Sequence, residues 1–470
     1  MAVDRFTPLW ATLTTSDKFS FSRYFPEAFT GFVDCHCLKY RLSKHRMFAM
    51  LRARANSERI DSGRSQQNRV EIIQVNDSLP QIEWIDAAID RAAQRFDCVP
   101  SELTKIQTAL GRVLAQGILA DRDSPALDVS AMDGYAMRLS DLSCSGVPVS
   151  GVACAGKPPI ELPVGRAIQI FTGAAVPFGA DCVIQREQTI ESPGSVQLTV
   201  APDSIRPGQN IRRRGENIKS GQLVLAEGTQ LTTATAGALA TFGPAEILVR
   251  RKVRVSLLTS GDELIEPGGQ VQPWQIRDSN SLTLQGWLSG LPWATIIGQQ
   301  RFGDTLQSAI QAIKLAGRDC DAIILTGGVS AGDTDYIPKA LMELGGEILF
   351  HRLPIRPGKP VLVGCWEGKL VVGLPGNPVS AAVVSRVIAQ PLLQRLGGVL
   401  PPPMTQLSLS ESDDKRLNLV WYRLIELNGG HGRLIDSRGT GDLVALSRSQ
   451  GFIEQPAGQS GLGPWRTWLW

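Results

Sequence analysis

The stretch Asp321–Tyr336, which reads DAIILTGGVSAGDTDY, decides the fold. Its first part, 322–325, is an apolar run typical of a buried strand; a glycine-rich loop follows, and a helical pattern begins at Tyr336. Strand-like and helix-like runs of this kind alternate from Arg250 to about Leu396. Because strands that alternate with helices form parallel sheets covered on both faces, we predict a central three-layer α/β domain with a mostly parallel sheet.

Outside this segment the pattern changes, so we predict a multidomain chain with α/β and β parts. A helix with one apolar face begins after Asn76, and residues 101–120 repeat a helical pattern more loosely. Residues 121–221 hold short β-rich runs separated by Pro and Gly, which indicates an inserted all-β domain. After Pro401–Pro403, further strand-like runs indicate a small C-terminal β domain.

The predicted boundaries follow these changes of pattern. They are a poorly ordered basic leader at 1–75, the α/β domain at 76–99 and 249–400, an extended linking region at 100–120 and 222–248, the β insert at 121–221, and the C-terminal domain at 401–470.

Composition excludes several classes of protein. A chain of 470 residues exceeds one ordinary core, and it contains no run of eighteen apolar residues that could cross a membrane. Its eight scattered cysteines predict free thiols and a cytoplasmic location. The formal charge of +3 resides in the leader, which holds 12 Lys and Arg against 7 Asp and Glu. The nearly neutral remainder gives no electrostatic case for nucleic-acid binding.

Three loops follow or precede strands of the predicted sheet and favour anion binding. They are the glycine-rich loop 327–332, the loop 373–380, which reads GLPGNPVS, and the turn 353–360, which reads LPIRPGKP. Backbone amides freed by glycine bind oxyanions at helix starts, and Arg352, Arg356 and Lys359 add positive charge. Loops at the carboxyl ends of parallel strands meet in one crevice, so the three can share a site. The alternative for the three cations is a solvated surface turn.

Carboxylates accompany these loops. Asp333 and Asp335 would repel phosphate unless a cation such as Mg²⁺ lies between them. Asp262 and Glu263 follow another strand, with helix capping as the alternative role of Asp262. For Asp304 the residue pattern favours the N-cap of the helix predicted at 305–316.

The insert has motifs of its own. Residues 128–137 are too irregular for a helix or a strand, and a predicted strand ends at Thr172-Gly173. Arg212-Arg213-Arg214, which we call the basic triplet, lacks the stacking aromatics of a nucleic-acid site. A polyanionic small molecule or a salt-bridged interface fits it better.

Seven motifs occur together in one order. They are SAMDGYA (130–136), TGA (172–174), IRRRGE (211–216), SGDEL (260–264), GGVSAG with DY (327–336), PGKP (357–360) and LPGNPVS (374–380). In this order and spacing the chain resembles the molybdopterin molybdenumtransferase family, to which MoeA and the gephyrin E domain belong, from about Asn76 to its end.

The resemblance implies a homodimer that inserts molybdate into adenylylated molybdopterin with Mg²⁺ and releases AMP, in a cleft between the α/β domain of one subunit and the insert of the other. It implies transient contact with the molybdopterin adenylyltransferase and with acceptor molybdoenzymes or carriers. The catalytic residues it implies are Asp133, Glu263, Asp304 and Asp335, with Glu263 and Asp335 as metal ligands. The substrate-binding residues it implies are Ser130, Thr172, Asn217, Gly327, Gly328, Ser330, Gly332, Arg352, Arg356, Lys359, Pro375, Gly376, Asn377 and Ser380.

The sequence departs from the family pattern at a few positions. Asn217 replaces a usual Asp, Arg352 and Arg356 stand where Lys is common, and Val129 replaces a polar residue. Two alternatives therefore stay beside the transferase: a catalytically weakened dimeric scaffold or pterin-binding protein, and an adenylyltransferase that acts one step earlier. The retained carboxylates count against the scaffold, and the β insert and the C-terminal domain count against the adenylyltransferase.

Overall fold

The computed structural model describes residues 81–329 and 336–470. The predicted leader at 1–75 lies outside these residues. The first described element is α1, Gln81–Ala93, whose Trp84, Ile85, Ala88 and Ile89 are buried. The apolar face predicted after Asn76 is therefore confirmed. In the described part of the chain, none of the helices has the length and apolar character needed to span a membrane.

Short strands replace the loose helix expected at 101–120, so that prediction is wrong. The elements of this region are β1 (Ser101–Lys105), β2 (Val113–Leu114), β3 (Ile118–Leu119), β12 (Leu223–Leu225), α2 (Thr233–Phe242) and β13 (Glu246–Arg250). Strand β13 lies between β1 and β2, and β3 pairs with β12, all antiparallel. Pairing partners more than a hundred residues away override the local pattern.

The insert is built from strands, as predicted, but strands also form within residues 128–137, where the sequence pattern predicted neither a helix nor a strand. They are β4 (Val129–Ser130), β5 (Gly134–Met137), β6 (Val147–Ala153), β7 (Ala167–Ile170), β8 (Cys182–Gln185), β9 (Thr189–Ser192), β10 (Ser195–Leu198) and β11 (Ile211–Arg212). Six of them form a mixed sheet in the order β8-β5-β7-β6-β10-β9, and β4 pairs with β11. A close approach fixes Gly134, because a Cβ there would lie 1.9 Å from the carbonyl oxygen of Ile184.

The central domain alternates strands and helices. Its elements are β14 (Val253–Ser260), β15 (Leu264–Ile265), β16 (Ile276–Arg277), α3 (Ser279–Ser289), β17 (Ala294–Phe302), α4 (Leu306–Ala316), β18 (Ala322–Thr326), α5 (Ile337–Glu343), β19 (Glu347–His351), β20 (Ile355–Arg356), β21 (Leu362–Trp366), β22 (Lys369–Leu374), α6 (Pro378–Val384) and α7 (Gln390–Gly397). A π-helical segment, Ser385–Ala389, joins α6 to α7.

The six-stranded sheet of this domain has the order β17-β14-β18-β22-β21-β19. Strands β17, β14, β18 and β22 are parallel; β21 pairs antiparallel with both β22 and β19, so within this sheet only β21 runs in the opposite direction. Side chains of α1, α3, α6 and α7 pack on one face, and those of α4 and α5 pack on the other. Neighbouring strand residues accordingly serve different cores, as Leu257 and Leu258 do.

The C-terminal part contains β23 (Thr405–Leu407), β24 (Val420–Asn428), β25 (His431–Leu434), α8 (Leu443–Arg448), β26 (Gly451–Gln455) and β27 (Trp465–Leu469). Its sheet has the order β20-β24-β26-β27-β23, so β20 of the central domain is its edge strand. Helix α8, which Asp442 caps, was not predicted from the sequence. The domain boundaries drawn from the sequence stay predictions.

Candidate active site

One end of the central sheet collects the predicted loops. We call this end the carboxyl edge, because β14, β17, β18 and β22 all finish there. The last paired residues at this edge are Ser260 with Phe302, Thr326 with Leu374, and Leu362 with His351. The turn 352–361 starts from the same edge, since β19 ends and antiparallel β21 begins there. The topology thus brings the three loops to one edge, as the sequence analysis expected.

The glycine-rich loop leaves β18 through two residues with positive φ. Gly327 has φ +91° and Gly328 has φ +63°, and a Cβ on Gly327 would lie 2.6 Å from the carbonyl oxygen of Ser260. These positions therefore require glycine. The His351 Nε2 lies 2.8 Å from the carbonyl oxygen of Val329, which ties the loop to β19. The predicted site residues Ser330, Gly332 and Asp335 lie outside the described residues.

Asp304 bridges the ends of β17 and β14 and does not cap α4. Its Oδ1 accepts a hydrogen bond of 2.5 Å from the Ser260 hydroxyl, and its Oδ2 accepts one of 3.1 Å from the Asp262 backbone N–H. The helix cap is Thr305, whose hydroxyl accepts from the Ser308 N–H. The N-cap interpretation of Asp304 is therefore wrong by one residue, and the carboxylate stays at the carboxyl edge.

Asp262 is also no helix cap, because its carboxylate accepts a 3.3 Å hydrogen bond from the Asp304 N–H. Glu263 is exposed in the loop between β14 and β15. Within 81–329 and 336–470 the structure contains no group of three or more His, Cys, Asp or Glu side chains that could hold a metal ion. The predicted pair Glu263 and Asp335 includes one residue outside this part of the chain.

Asn280 ties two of the predicted loops together and was missed by sequence reasoning. Its Nδ2 donates to the Gly376 carbonyl oxygen at 2.7 Å and to the Thr326 hydroxyl at 3.0 Å. The Thr326 hydroxyl in turn donates to the Pro375 carbonyl oxygen at 3.0 Å. The available signal was Asp278-Ser279-Asn280, a polar run at the start of a predicted helix, but capping by Asp278 accounts for that pattern without a contact 96 residues away.

The loop that follows β22 positions three more predicted residues. Gly376 and Asn377 are exposed, whereas Ser380 is buried within the first turn of α6. The Val379 N–H donates to the Thr440 carbonyl oxygen, so the C-terminal part closes over this helix start. Gly376 approaches Gly327 closely: a Cβ on Gly376 would lie 3.7 Å from the Gly327 Cα.

The turn 352–360, which we call the basic turn, presents exposed cations. Arg352, Arg356 and Lys359 form no ion pair with any described residue. The backbone of the turn is fixed by hydrogen bonds from Arg352 N–H to the Val361 carbonyl at 2.8 Å and from Leu353 N–H to the Lys359 carbonyl at 3.0 Å. The turn therefore holds positive charge in place without neutralising it.

A second group of predicted residues lies in the insert. The Asp133 Oδ1 accepts hydrogen bonds of 2.7 Å from both the backbone N–H and the hydroxyl of Thr172. These bonds, with the nearby charge of Arg186, lower the pKa of Asp133 and keep it ionised. Both contacts use Oδ1, and no described residue donates a hydrogen bond to Oδ2. Ser130 is buried, and its hydroxyl donates to the Met132 carbonyl oxygen, so it orders this loop.

The basic triplet is neutralised inside the insert. Arg212 pairs with Glu216 at 2.5 Å, Arg213 with Asp128 at 2.6 Å, and Arg214 with Asp123 at 2.5 Å. Asn217 belongs to the same network, because its Oδ1 accepts from Arg212 Nη2 at 2.8 Å. Of the two interpretations left open, the structure supports salt bridging, here within one chain.

The structure thus forms two separate groups of predicted residues. One is at the carboxyl edge, and the other, with Asp133, Thr172 and Asn217, is in the insert; no described hydrogen bond or ion pair joins them. The cysteines that the structure describes are Cys98, Cys144, Cys154, Cys182, Cys320 and Cys365, and all are free, as predicted.

Comparisons with known proteins cover both groups. Residues 83–243 match the model of the MoeA N-terminal region (domain I and II), and residues 256–395 match that of a probable molybdopterin binding domain. The molybdopterin molybdenumtransferase of Haemophilus influenzae is 40% identical over 301 residues, which cover 63% of this chain and 73% of that protein. The molybdopterin molybdenumtransferase of Nostoc is 30% identical over 402 residues, which cover 79% of this chain and 90% of that protein.

Solved structures agree with the sequence relatives. A crystal structure of the molybdopterin biosynthesis protein MoeA from Pyrococcus horikoshii superposes with a TM-score of 0.69 at 26% identity, and it covers 82% of this chain and 99% of that one. A second structure of the protein from the same organism gives a TM-score of 0.64 at 28% identity, with 82% and 97% covered.

Proposed function

Because the chain belongs to the molybdopterin molybdenumtransferase family, it is a transferase of molybdenum cofactor biosynthesis, and we propose that it inserts molybdate into adenylylated molybdopterin in a Mg²⁺-dependent reaction that releases AMP. The observation that carries this proposal is the convergence of three anion-type loops at the carboxyl edge, beside the Asp304 carboxylate. Such a site suits two oxyanions, a tetrahedral molybdate and a phosphate of the pterin.

In this proposal, the charge of each residue decides its role in the site. The cations of the basic turn and the backbone N–H groups of the glycine-rich loop bind oxyanion oxygens and hold them close to one another. The hydrogen bonds of Asn280 and Thr326 hold the glycine-rich loop next to the loop after β22. Both loops can therefore contact the same ligand. Asp133, ionised and held by Thr172, supplies a fixed carboxylate from the insert.

Magnesium fits the donor chemistry of the carboxyl edge, because Mg²⁺ prefers carboxylate, phosphate and water oxygens. We propose that Glu263 and Asp335 hold it. Phosphate oxygens of the substrate and water would complete its ligand set. When bound, the ion neutralises negative charge on the phosphoanhydride that links the pterin phosphate to AMP.

The two separate groups of site residues favour an assembly in which both meet. We propose a homodimer whose cleft combines the carboxyl edge of one subunit with the insert of the other. We also propose transient contacts with the adenylyltransferase that supplies the substrate and with the molybdoenzymes or carriers that accept the product. A cytoplasmic location belongs to the same proposal.

The reaction is tested with purified protein, adenylylated molybdopterin, molybdate and Mg²⁺. The proposal predicts AMP release that depends on molybdate and is matched by pterin-bound molybdenum. Controls omit molybdate, Mg²⁺ or protein in turn. Tight pterin binding without AMP release would contradict the proposal and favour the scaffold alternative.

A further inference from the structure

The basic turn is anchored to a second sheet through its own backbone. Ile355 and Arg356 form β20, which pairs in parallel with Val420 and Trp421 at the start of β24. The Val420 N–H also donates to the Pro354 carbonyl oxygen at 3.0 Å. Arg356 and Trp421 are therefore register partners, and their side chains leave the sheet on the same face.

The Arg356 guanidinium meets an aromatic ring and not a carboxylate. Its Cζ lies 5.4 Å from the centroid of the Trp421 ring, and no described acidic residue pairs with it. A guanidinium on an aromatic face is held by the ring quadrupole, while its N–H donors keep their charge and their freedom to bind oxygen. A carboxylate partner would neutralise the charge and occupy the N–H donors, as Asp128 does for Arg213.

The ring itself is fixed from the same strand. Arg423 lies two residues beyond Trp421, and its Cζ is 4.2 Å from the ring centroid. Asp413 binds Arg423 through both carboxylate oxygens, at 2.8 Å and 2.5 Å. This bidentate pair holds the pKa of Asp413 well below its usual range and neutralises Arg423. Arg423 thus holds the Trp421 ring in place, and the ring in turn holds the Arg356 guanidinium.

We propose that Trp421 is a positioning residue for oxyanion binding: it holds the Arg356 guanidinium in place without neutralising it, so that Arg356 can bind molybdate at the basic turn. The inference rests on the proposed function for the identity of the ligand. It adds a contribution of the C-terminal sheet to a site that the sequence motifs place in the central domain and the insert.

The test compares Trp421→Leu with Trp421→Phe in the full-length protein. Leucine keeps apolar bulk without a π face, whereas phenylalanine keeps the face. The measurement is AMP release as a function of molybdate concentration, with the melting temperature of each variant as the control for folding. We expect Trp421→Leu to raise the half-saturating molybdate concentration about two- to fivefold and to lower kcat by a smaller factor. Trp421→Phe stays close to the wild type.

A double-mutant cycle with Arg356→Met separates positioning from general destabilisation. The inference predicts that Trp421→Leu has no further effect on molybdate saturation once Arg356 is replaced. An equal effect in both backgrounds, or an unchanged half-saturating concentration in Trp421→Leu alone, would overturn the role of Trp421 and leave the transferase standing. A wild-type protein without molybdate-dependent AMP release would instead overturn the proposed function, and this inference with it.

Discussion

The basic triplet and the basic turn each contain three cations close together in sequence, yet their surroundings differ. Arg212, Arg213 and Arg214 each bind a carboxylate of the insert. The cations of the basic turn bind none of the described acidic residues, and Arg356 rests on Trp421 instead. Positive charge in the triplet is thus neutralised by ion pairs within the insert, whereas positive charge in the turn remains available for a ligand.

This difference explains why a count of charges alone does not distinguish a candidate ligand site from a salt-bridged cluster. In the sequence, the triplet is the denser cluster and the turn could be a solvated loop. Only the tertiary contacts show which cations already have partners. By the same logic we propose that the Asp133 carboxylate, and not the paired arginines, is the charge of the insert that faces a ligand.

The largest expected effect tests that assignment. Asp133→Asn keeps an oxygen that can accept from Thr172 and removes the charge, so we expect the rate of molybdenum insertion to fall about a hundredfold or more. The rate is measured by single-turnover AMP release, with Asp203→Asn in the same domain as the control. An unchanged rate with Asp133→Asn would remove Asp133 from the site.

The next effect tests the basic turn. Lys359→Ala removes an exposed cation without an ion-pair partner among the described residues, so folding stability changes little. We expect kcat/KM for molybdate to fall about tenfold or more, because a charge-assisted contact to the oxyanion is lost. Lys314→Ala on α4 is the matched control. Equal effects of the two substitutions would contradict the distinction between the turn and other surface cations.

A smaller effect concerns Asp413. Its carboxylate neutralises Arg423, just as carboxylates of the insert neutralise the basic triplet. The pKa of Asp413 is lowered in the folded protein, so its contribution to stability is present above its unfolded pKa of about 3.9 and is lost as pH falls below it. We expect Asp413→Asn to lower the free energy of unfolding by about 1 kcal/mol at pH 7 and by less at pH 3. Denaturant unfolding at both values measures this; a difference that grows toward acid pH would contradict the sign.

The smallest effect belongs to the triplet itself. Arg213→Ala breaks a pair with Asp128 that is partly exposed, so we expect a loss of about 0.5 kcal/mol in the free energy of unfolding and no change in half-saturating molybdate concentration. A double-mutant cycle with Asp128→Ala isolates this pair, because Asp128 also accepts a hydrogen bond from the Arg214 N–H. A raised half-saturating concentration in Arg213→Ala would erase the contrast between triplet and turn.

Much of the central domain could be predicted from the sequence, because its strands are continuous apolar runs. The apolar run 322–325 agrees with β18 to within one residue, and the helix predicted at 305–316 agrees equally well with α4. The strand β19 was missed, since it lies at the sheet edge and only Phe350 within it is fully buried. Residues 101–120 were misassigned because their burial depends on pairing with β12 and β13.

The candidate site divides in the same way. Motif spacing located the loops of the carboxyl edge, because glycine, proline and charge are visible locally. Asn280 and Trp421 were not predicted, since each acts through a contact with a residue more than sixty positions away. No local pattern encodes such a contact.

We propose that the uncompensated cations of the basic turn, and not the paired arginines of the triplet, bind the oxyanion. Anomalous diffraction from crystals soaked in tungstate, an electron-dense analogue of molybdate, tests this directly. We expect a tungsten peak at the carboxyl edge within contact distance of Lys359 or Arg356, and loss of that peak in Lys359→Ala crystals. A peak at Arg212–Arg214, with none at the basic turn, would contradict it.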